Sequence, residues 1–263
     1  MEPHPIPIEK AKELLAGDLG NVYRKILMDC CAPIYWFRRD IPNPPIAHNG
    51  TLTIARTPKA LLGITAAHVL EQFSKDCKAH SAQRLQVANV TVGDFMNRVV
   101  GVSTKLDIAT IELDEDLLKR LGKTPLGEWP AWPPHEGRGI MIGGYPAAAR
   151  EESTETLEVN YGLFTALGVA RTVTQRQVTW LIEPEFQLSG TAVKAPPAQY
   201  DLGGISGGPL ISWFETEQHV THHRLSAIVT EHPDYAMNSD VPPIARLVAI
   251  RADAISETGK IYE

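Results

Sequence analysis

The chain has 263 residues, 43% of them hydrophobic and 21% charged, which is typical of a soluble globular protein with a sizeable core. Its net charge of −6 and the lack of a strongly basic stretch argue against nucleic acid or an anionic membrane as a partner. The three cysteines (Cys30, Cys31 and Cys77) are an odd number with one adjacent pair, which argues against a disulfide framework and favours a reducing compartment.

Residues 1–45 read as an N-terminal helical extension. The first residues, MEPHPIPIEKAKELL, lack the apolar segment of a secretory signal, and no run of about 18 apolar residues predicts a transmembrane helix. We therefore expect a cytoplasmic protein. Within residues 9–30, apolar side chains recur at helical spacing and predict a helix.

A first group of short strands fills residues 46–124. TLTIAR, LLGITAA, LQVANVTV, RVVGVST and DIATIEL are rich in Val, Ile and Thr and are separated by turn residues. DEDLLKRLG then predicts a short helix. Residues 125–138 are rich in proline and glycine and predict a linker.

A second group of strands fills residues 139–250, and the following LVAIRADAISETGK predicts a strand that runs into a short helix. Two consecutive groups of roughly six short strands indicate an all-β fold of two β-barrels or sandwiches in tandem. The N-terminal helical segment and the short C-terminal helix lie outside the barrels.

Three residues with complementary chemistry lie along these strands. His68 follows a buried strand, Asp107 opens an apolar strand, and Ser206 lies in the glycine-rich stretch GGISGGPLI. A serine hydroxyl is a weak nucleophile until an imidazole takes its proton, and the imidazole needs a carboxylate to fix its tautomer. Taken singly, the histidine reads as a core or edge residue, the aspartate as a strand-start cap and the serine as part of a turn. Together they predict a nucleophilic site between the two barrels.

The segments around these residues resemble the trypsin-like (chymotrypsin-fold) serine proteases. The matching motifs are TAAHV, DIATIEL and GISGGPL, in the family's order and at similar spacing, and GIMIGGYP is similar to a strand of the family's bacterial branch. The resemblance covers about residues 48–258, so we expect a protease domain over 46–258. It implies an all-β, chymotrypsin-like fold of two tandem six-stranded antiparallel β-barrels.

The resemblance implies a role for each matched residue. His68 would be the general base and then the acid, Asp107 would orient it, and Ser206 would attack the scissile carbonyl. The backbone N–H groups of Gly204 and Ser206 would form the oxyanion hole.

The resemblance also implies a substrate-binding set. The strand AIVTEH would place Thr230 near Asp107, able to donate a hydrogen bond to it, with the other members lining the pocket and the substrate strand. The whole set is Tyr200, Asp201, Thr230, Glu231 and His232.

Four departures from the family pattern bear on specificity and activation. Ile205 stands where secreted members carry an aspartate, and no cysteine follows His68 closely. Tyr200 falls at the base of the specificity pocket, and His232 replaces the glycine that keeps the pocket mouth open. Since Ile205 offers no charge to a new N-terminal ammonium, we expect that N-terminal cleavage does not activate the protein.

The motif HVTHH offers three further histidines, but it falls in a predicted hairpin connection without a nearby acidic or cysteine ligand. We therefore expect neither a metal nor a cofactor. The sequence predicts a serine endopeptidase whose partner is a protein or peptide substrate, and it is also compatible with a regulatory partner. Two alternatives stay open: an inactive trypsin-like substrate-binding module, and an acyl hydrolase of small esters or amides.

Overall fold

The structure is a computed structural model, and it describes residues 13, 16–38, 46–79, 84–152, 159–181, 201–215, 221–231 and 246–263. In the first half of the chain the elements are α1 (Asp18–Cys30), β1 (Cys31–Arg38), β2 (Ile46–Arg56), β3 (Leu61–Thr65), α2 (Ala67–Ala79), β4 (Gln86–Val87), β5 (Val90–Thr91), β6 (Val99–Ser103), β7 (Ile108–Glu112) and α3 (Glu115–Leu121). In the second half they are β8 (Gly139–Gly144), β9 (Arg150–Glu152), β10 (Val159–Tyr161), β11 (Phe164–Val169), β12 (Thr172–Val173), β13 (Gln177–Leu181), β14 (Pro209–Glu215), β15 (Thr221–Glu231) and β16 (Arg246–Arg251).

The two large sheets share one strand order. The first runs β5-β4-β1-β2-β3-β7-β6 and the second β11-β8-β14-β15-β16-β13-β12. When the two-residue strands β5 and β12 are set aside, each sheet has six strands, which can be numbered 1 to 6 in chain order. Around each sheet the strands then follow the cyclic order 1-2-3-6-5-4, with one pairing of the cycle left out. Among the described residues, the first sheet leaves out the pairing of strands 4 and 5, and the second leaves out the pairing of strands 2 and 3. This repeated antiparallel ring confirms the predicted tandem chymotrypsin-like architecture, with one short extra strand in each sheet.

Alternating side chains of the strands fill three buried clusters. Ile54 packs inside the first sheet, whereas its neighbour Ala55 joins the cluster between the two sheets. Likewise, Ile142 packs inside the second sheet, and its neighbour Met141 faces the cluster between the sheets. Successive residues of a strand point to opposite faces, so this alternation lets each sheet fill its own interior and also pack against the other.

The first sheet begins earlier than the predicted boundary at residue 46. β1 (Cys31–Arg38) pairs with β2 along its whole length, from Cys31 opposite Thr53 to Arg38 opposite Ile46. Its side chains Ile34 and Trp36 are buried inside the first sheet. Residues 31–38 therefore belong to the first barrel, because this strand supplies part of the barrel's hydrophobic interior.

The helices differ more from expectation than the strands do. α1 has Gly17 as its N-cap, and α3 is the helix predicted from DEDLLKRLG, with Asp114 as its N-cap and Gly122 at φ +62° just after it. α2 was not predicted. The predicted C-terminal helix is a single 3₁₀ turn, Ala252–Ala254. In the part of the chain that the structure describes, no helix is long and apolar enough to cross a membrane.

Candidate active site

His68 and Asp107 meet because two neighbouring strands end side by side. β3 pairs antiparallel with β7, with Thr65 opposite Ala109. His68 lies three residues after Thr65, in the first turn of α2, and Asp107 directly precedes β7. The sheet pairing therefore brings two residues that are 39 positions apart into contact.

The Asp107 carboxylate holds His68 at two points. Its Oδ2 lies 2.7 Å from His68 Nδ1, and its Oδ1 accepts the backbone N–H of His68 at 2.8 Å. Because an ionised carboxylate only accepts hydrogen bonds, Nδ1 carries the proton in this contact and Nε2 is left as an acceptor. The His68 side chain as a whole is 50% exposed.

The turn that carries Asp107 is fixed by two further contacts. Asp107 has φ +51°, a left-handed conformation that aspartate tolerates better than most residues, and its carbonyl accepts the N–H of Ala67 at 3.2 Å. Ser103 Oγ accepts the N–H of Leu106 at 3.1 Å and donates to Glu263 Oε1 at 2.6 Å. The C-terminal segment thereby packs against the turn that presents the carboxylate.

Ser206 lies in a tight loop between residues 201 and 208, just before β14. The N–H groups of residues 203, 205, 207 and 208 each donate a hydrogen bond within the protein. Those of Gly204 and Ser206 find no acceptor among the described residues. The loop thus presents two unpaired N–H groups, one on each side of Ile205.

The carbonyls on the same peptide units fix the direction of those two N–H groups. Gly203 O accepts the N–H of Ala147 at 2.7 Å, and Ile205 O accepts the N–H of Gly208 at 2.8 Å. In a planar trans peptide the N–H points opposite to the C=O. Each N–H, of Gly204 or of Ser206, therefore points away from the donor that its peptide carbonyl binds, the N–H of Ala147 or of Gly208.

Two glycines of this loop could not be replaced without rebuilding it. Gly204 has φ +98° and Gly207 has φ +93°. A Cβ on Gly204 would lie 2.1 Å from Asn49 Nδ2, and one on Gly207 would lie 1.9 Å from Thr51 O. The glycine-rich sequence thus serves both the positive φ and the close approach of strand β2.

Strand β2 of the first sheet holds the Ser206 loop through three hydrogen bonds. The sequence did not predict these contacts. Thr51 N–H donates to Ser206 O at 2.8 Å, and Thr51 Oγ1 donates to Gly204 O at 3.0 Å. Thr53 Oγ1 donates to Gly207 O at 2.7 Å. Threonine is common in strands, so nothing in its local sequence marked these two residues; their partners lie about 150 positions away along the chain.

Ser206 itself is 2% exposed, and its Oγ donates to Thr230 O at 3.4 Å. In the described part of the chain it makes no hydrogen bond to His68. The expected Thr230–Asp107 hydrogen bond is also not made among the described residues, where the two carboxylate oxygens of Asp107 accept from His68. Thr230 lies at the register shift between Val229 and Glu231 in the β15–β16 pairing.

Of the expected substrate-binding set, the structure describes Asp201, Thr230 and the backbone of Glu231. Asp201 is exposed, and its Oδ1 accepts the N–H of Gly203 at 2.8 Å. Tyr200, His232 and the side chain of Glu231 lie outside the described residues. Among the residues that are described, no cluster of His, Cys, Asp or Glu could hold a metal ion.

Ile205 occupies a core position. Its side chain is fully buried in the interior of the second sheet, and a Cβ on Gly144 would lie 2.4 Å from Ile205 Cγ1. The residue that precedes Ser206 is therefore held by packing against β8.

No protein-family model and no curated protein matches this sequence. Among solved structures, the chain is similar to the serine protease domain of the Sesbania mosaic virus polyprotein, with 15% identity, a TM-score of 0.43 and coverage of 83% of this chain and 86% of that one. It is also similar to the protease Anisep from Arthrobacter nicotinovorans, with 11% identity, a TM-score of 0.41 and coverage of 84% and 89%. A further similar structure comes from work on the Sesbania mosaic virus VPg protein, with 15% identity, a TM-score of 0.45 and coverage of 84% and 85%. Likeness at this level leaves the activity of this chain open.

Proposed function

We propose that this protein is a serine endopeptidase that cleaves peptide bonds with Ser206 as nucleophile, His68 as general base and acid, and Asp107 as the group that orients His68. The strongest support is the pair of N–H groups at Gly204 and Ser206, which lack acceptors among the described residues and whose carbonyl partners are fixed. Two such donors beside a serine suit the oxyanion of a tetrahedral intermediate.

The reaction would start with a rotation of the Ser206 side chain. Its hydroxyl leaves Thr230 O, from which it is separated by a long 3.4 Å contact, and turns toward His68 Nε2. As the Oγ–carbon bond to the substrate carbonyl forms, the hydroxyl proton moves to Nε2, and Asp107 stabilises the resulting imidazolium. Catalytic hydrogen bonds are often unformed before substrate binds, so the resting geometry is compatible with this step.

The remaining steps follow from the same groups. The carbonyl oxygen becomes an oxyanion held by the N–H groups of Gly204 and Ser206. Collapse of the intermediate breaks the C–N bond, and His68 gives its proton to the leaving amine. Water, deprotonated by His68, then attacks the acyl-enzyme, and the same two N–H groups hold the second oxyanion until Ser206 is released.

An inactive substrate-binding module is the alternative that one observation favours. Ser206 Oγ donates to Thr230 O and not to His68 in the described structure. If that bond persisted with substrate bound, the serine would not be activated. The two proposals differ in a single measurable property, the reactivity of the Ser206 hydroxyl.

Fluorophosphonate labelling followed by mass mapping tests the proposal. We expect label on Ser206, no label in Ser206→Ala, and unchanged labelling in Ser212→Ala, which removes a buried serine hydroxyl from the adjoining strand β14. A chain that stays unlabelled would favour the binding module. Digestion of a denatured protein pool then separates a peptidase, which generates new peptide termini, from an acyl hydrolase that acts only on small esters or amides.

A further inference from the structure

We propose that Thr51 is a positioning residue for this reaction, because its hydroxyl keeps the oxyanion-binding N–H groups oriented without help from an N-terminal ammonium. The inference rests on the proposed function. Thr51 belongs to β2 of the first sheet, whereas the loop it would control belongs to the second.

The Thr51 hydroxyl makes two hydrogen bonds. It is fully buried, its Oγ1 donates to Gly204 O at 3.0 Å, and the same oxygen accepts the N–H of Tyr145 at 2.9 Å. Its backbone N–H also donates to Ser206 O at 2.8 Å. One residue thus bridges the nucleophile loop and the segment that follows β8.

The two peptide units that flank Gly204 are held by different partners, and Thr51 is bonded to the second of them. The unit before it is held through Gly203 O by the N–H of Ala147, and the unit after it is held through Gly204 O by the Thr51 hydroxyl. Glycine populates positive and negative φ about equally, so its own backbone does not hold it at φ +98°. Loss of the hydroxyl would leave the unit after Gly204 held only by the N–H of Ile205, which donates to Leu202 O at 3.0 Å. It would also release the N–H of Tyr145, two residues before Ala147, and so loosen the contact that orients the N–H of Gly204.

Tyr145 anchors the other end of the bridge. Asn49 Nδ2 donates to Tyr145 O at 2.8 Å, and the phenol hydroxyl donates to Cys31 O at 3.3 Å. Burial raises the pKa of Tyr145 well above its usual range, so the hydroxyl stays protonated as a donor. Since Ala147 follows two residues later, this anchor also sets where its N–H meets Gly203 O.

The bridge takes the place of a charge that this chain lacks. The resemblance to secreted trypsin-like proteases implies an aspartate before the nucleophile, which pairs with a freed N-terminal ammonium. Here that residue is Ile205, fully buried in the apolar interior of the second sheet. A neutral hydroxyl reaching across from the first sheet can fix the loop in the uncut chain without burying an ion.

The test compares Thr51→Val with wild type and with Thr51→Ser, which restores the hydroxyl. Thr110→Val is the matched control, because Thr110 is an equally buried strand threonine whose hydroxyl donates to Gly259 O at 2.5 Å, outside the loop. The peptide that wild type cuts best in the digest is prepared as substrate, as aldehyde and as alcohol. The aldehyde forms a tetrahedral adduct with Ser206 that needs the oxyanion hole, and the alcohol does not.

We expect Thr51→Val to lower kcat by about 10- to 100-fold, somewhat less than the loss of a direct oxyanion donor, with little change in KM. Affinity for the aldehyde should fall by a similar factor while affinity for the alcohol stays the same. Thr51→Ser should regain most of the rate, and Thr110→Val should retain kcat whatever it does to the melting temperature.

The outcomes separate this inference from the proposed function. If wild type neither cuts peptides nor reacts with the fluorophosphonate, both the proposed function and the inference about Thr51 are overturned. If wild type is active but Thr51→Val keeps its kcat and its aldehyde affinity, only the inference is overturned. Should the valine variant fail to fold, Thr51→Ala removes the hydroxyl without adding bulk and carries the same expectation.

Discussion

The acid–base pair and the nucleophile loop are held in place in different ways. His68 and Asp107 contact each other within the first half of the chain, beside the paired strands β3 and β7, through two hydrogen bonds to one carboxylate. The loop around Ser206 belongs to the second sheet, yet its carbonyls accept hydrogen bonds from Thr51 and Thr53 of the first. The contact between His68 and Asp107 thus forms within the first half of the chain. The support of the Ser206 loop forms only when the two sheets pack together.

This difference separates two kinds of damage. A change at His68 or Asp107 alters chemistry while the two sheets stay packed. A change that disturbs β2 removes the support of the nucleophile loop and also disrupts the first sheet, where β2 lies between β1 and β3.

A chain that begins at residue 46 should lose both the fold and all activity. It lacks β1, whose Ile34 and Trp36 are buried inside the first sheet and whose residues pair with β2. Each large buried side chain contributes about 1.5–3 kcal/mol. Whole domains are stable by only about 5–15 kcal/mol. Circular dichroism should show no cooperative melting, and a folded, active protein from residue 46 would contradict the assignment of β1 to the barrel.

A chain that begins at residue 16 is the control for that deletion. It keeps α1 and β1, and we expect it to cut peptides at the same initial rate as the intact chain, verified by mass. Ile205 offers no charge to a new N-terminus, and burying an unpaired ammonium would cost several kcal/mol. An intact chain that is inert, and active only after a particular N-terminus is exposed, would overturn this expectation.

Replacing either reacting side chain should abolish turnover without unfolding the protein. Ser206→Ala and His68→Ala should each lower kcat by about 10⁶-fold, and the double variant should be no worse, because the groups act as a unit. The melting temperature of His68→Ala should stay close to wild type, since the side chain is half exposed. Turnover that persists in Ser206→Ala would exclude Ser206 as the nucleophile.

Asp107→Asn should lower the rate by about 10⁴-fold near neutral pH while the protein stays folded. The amide can still accept the backbone N–H of His68, but its NH₂ group cannot accept from Nδ1–H, so the imidazole turns to the wrong tautomer. Single-turnover kinetics at neutral pH measure the loss. Asp94→Asn and Asp114→Asn are the controls, and a comparable loss in either of them would mean that the carboxylate has been misassigned.

The sequence singled out the candidate residues that local patterns mark. His68, Asp107 and Ser206 follow or precede strands with clear β texture, and the glycines of the loop stand out because positive φ and close approach demand them. The strand pairing of β3 with β7 then brings His68 and Asp107 together.

Two features of the structure, the strand β1 and the contact of Thr51 with Gly204, have no local sequence signal. α1 ends at Cys30 and β1 begins at Cys31 with no turn residue between them, and Pro33 is unusual inside a strand, so residues 31–38 looked like part of the extension. Thr51 looked like any strand threonine, because its partner Gly204 lies 153 positions away. Such contacts arise only from the packing of two sheets, which no local pattern encodes.

The smallest expected effect concerns Asp201, at the edge of the loop in the second sheet. We expect a mild preference for a basic or polar side chain before the cut, because this exposed carboxylate lies near the base of the expected pocket. Exposed ion pairs are worth about 0.2–1 kcal/mol, so Asp201→Asn should lower cleavage after Lys or Arg by only about 1.4- to fivefold. The amide oxygen can still accept the N–H of Gly203, so cleavage of substrates with an uncharged residue there should keep its rate.

Asp201→Ala separates charge from loop support, because it removes both the charge and the acceptor for Gly203. If the loop needs that hydrogen bond, the alanine variant should lose rate on every substrate, whereas the asparagine variant should lose it only on basic ones. Cleavage-site profiles from the denatured-protein digest, read for all three chains, give both quantities. The contradicting result is a preference for bulky apolar residues that is the same in wild type, Asp201→Asn and Asp201→Ala. It would show that Asp201 takes no part in specificity. The contrast between the acid–base pair and the nucleophile loop would then rest on Ser206 and its support by β2 alone.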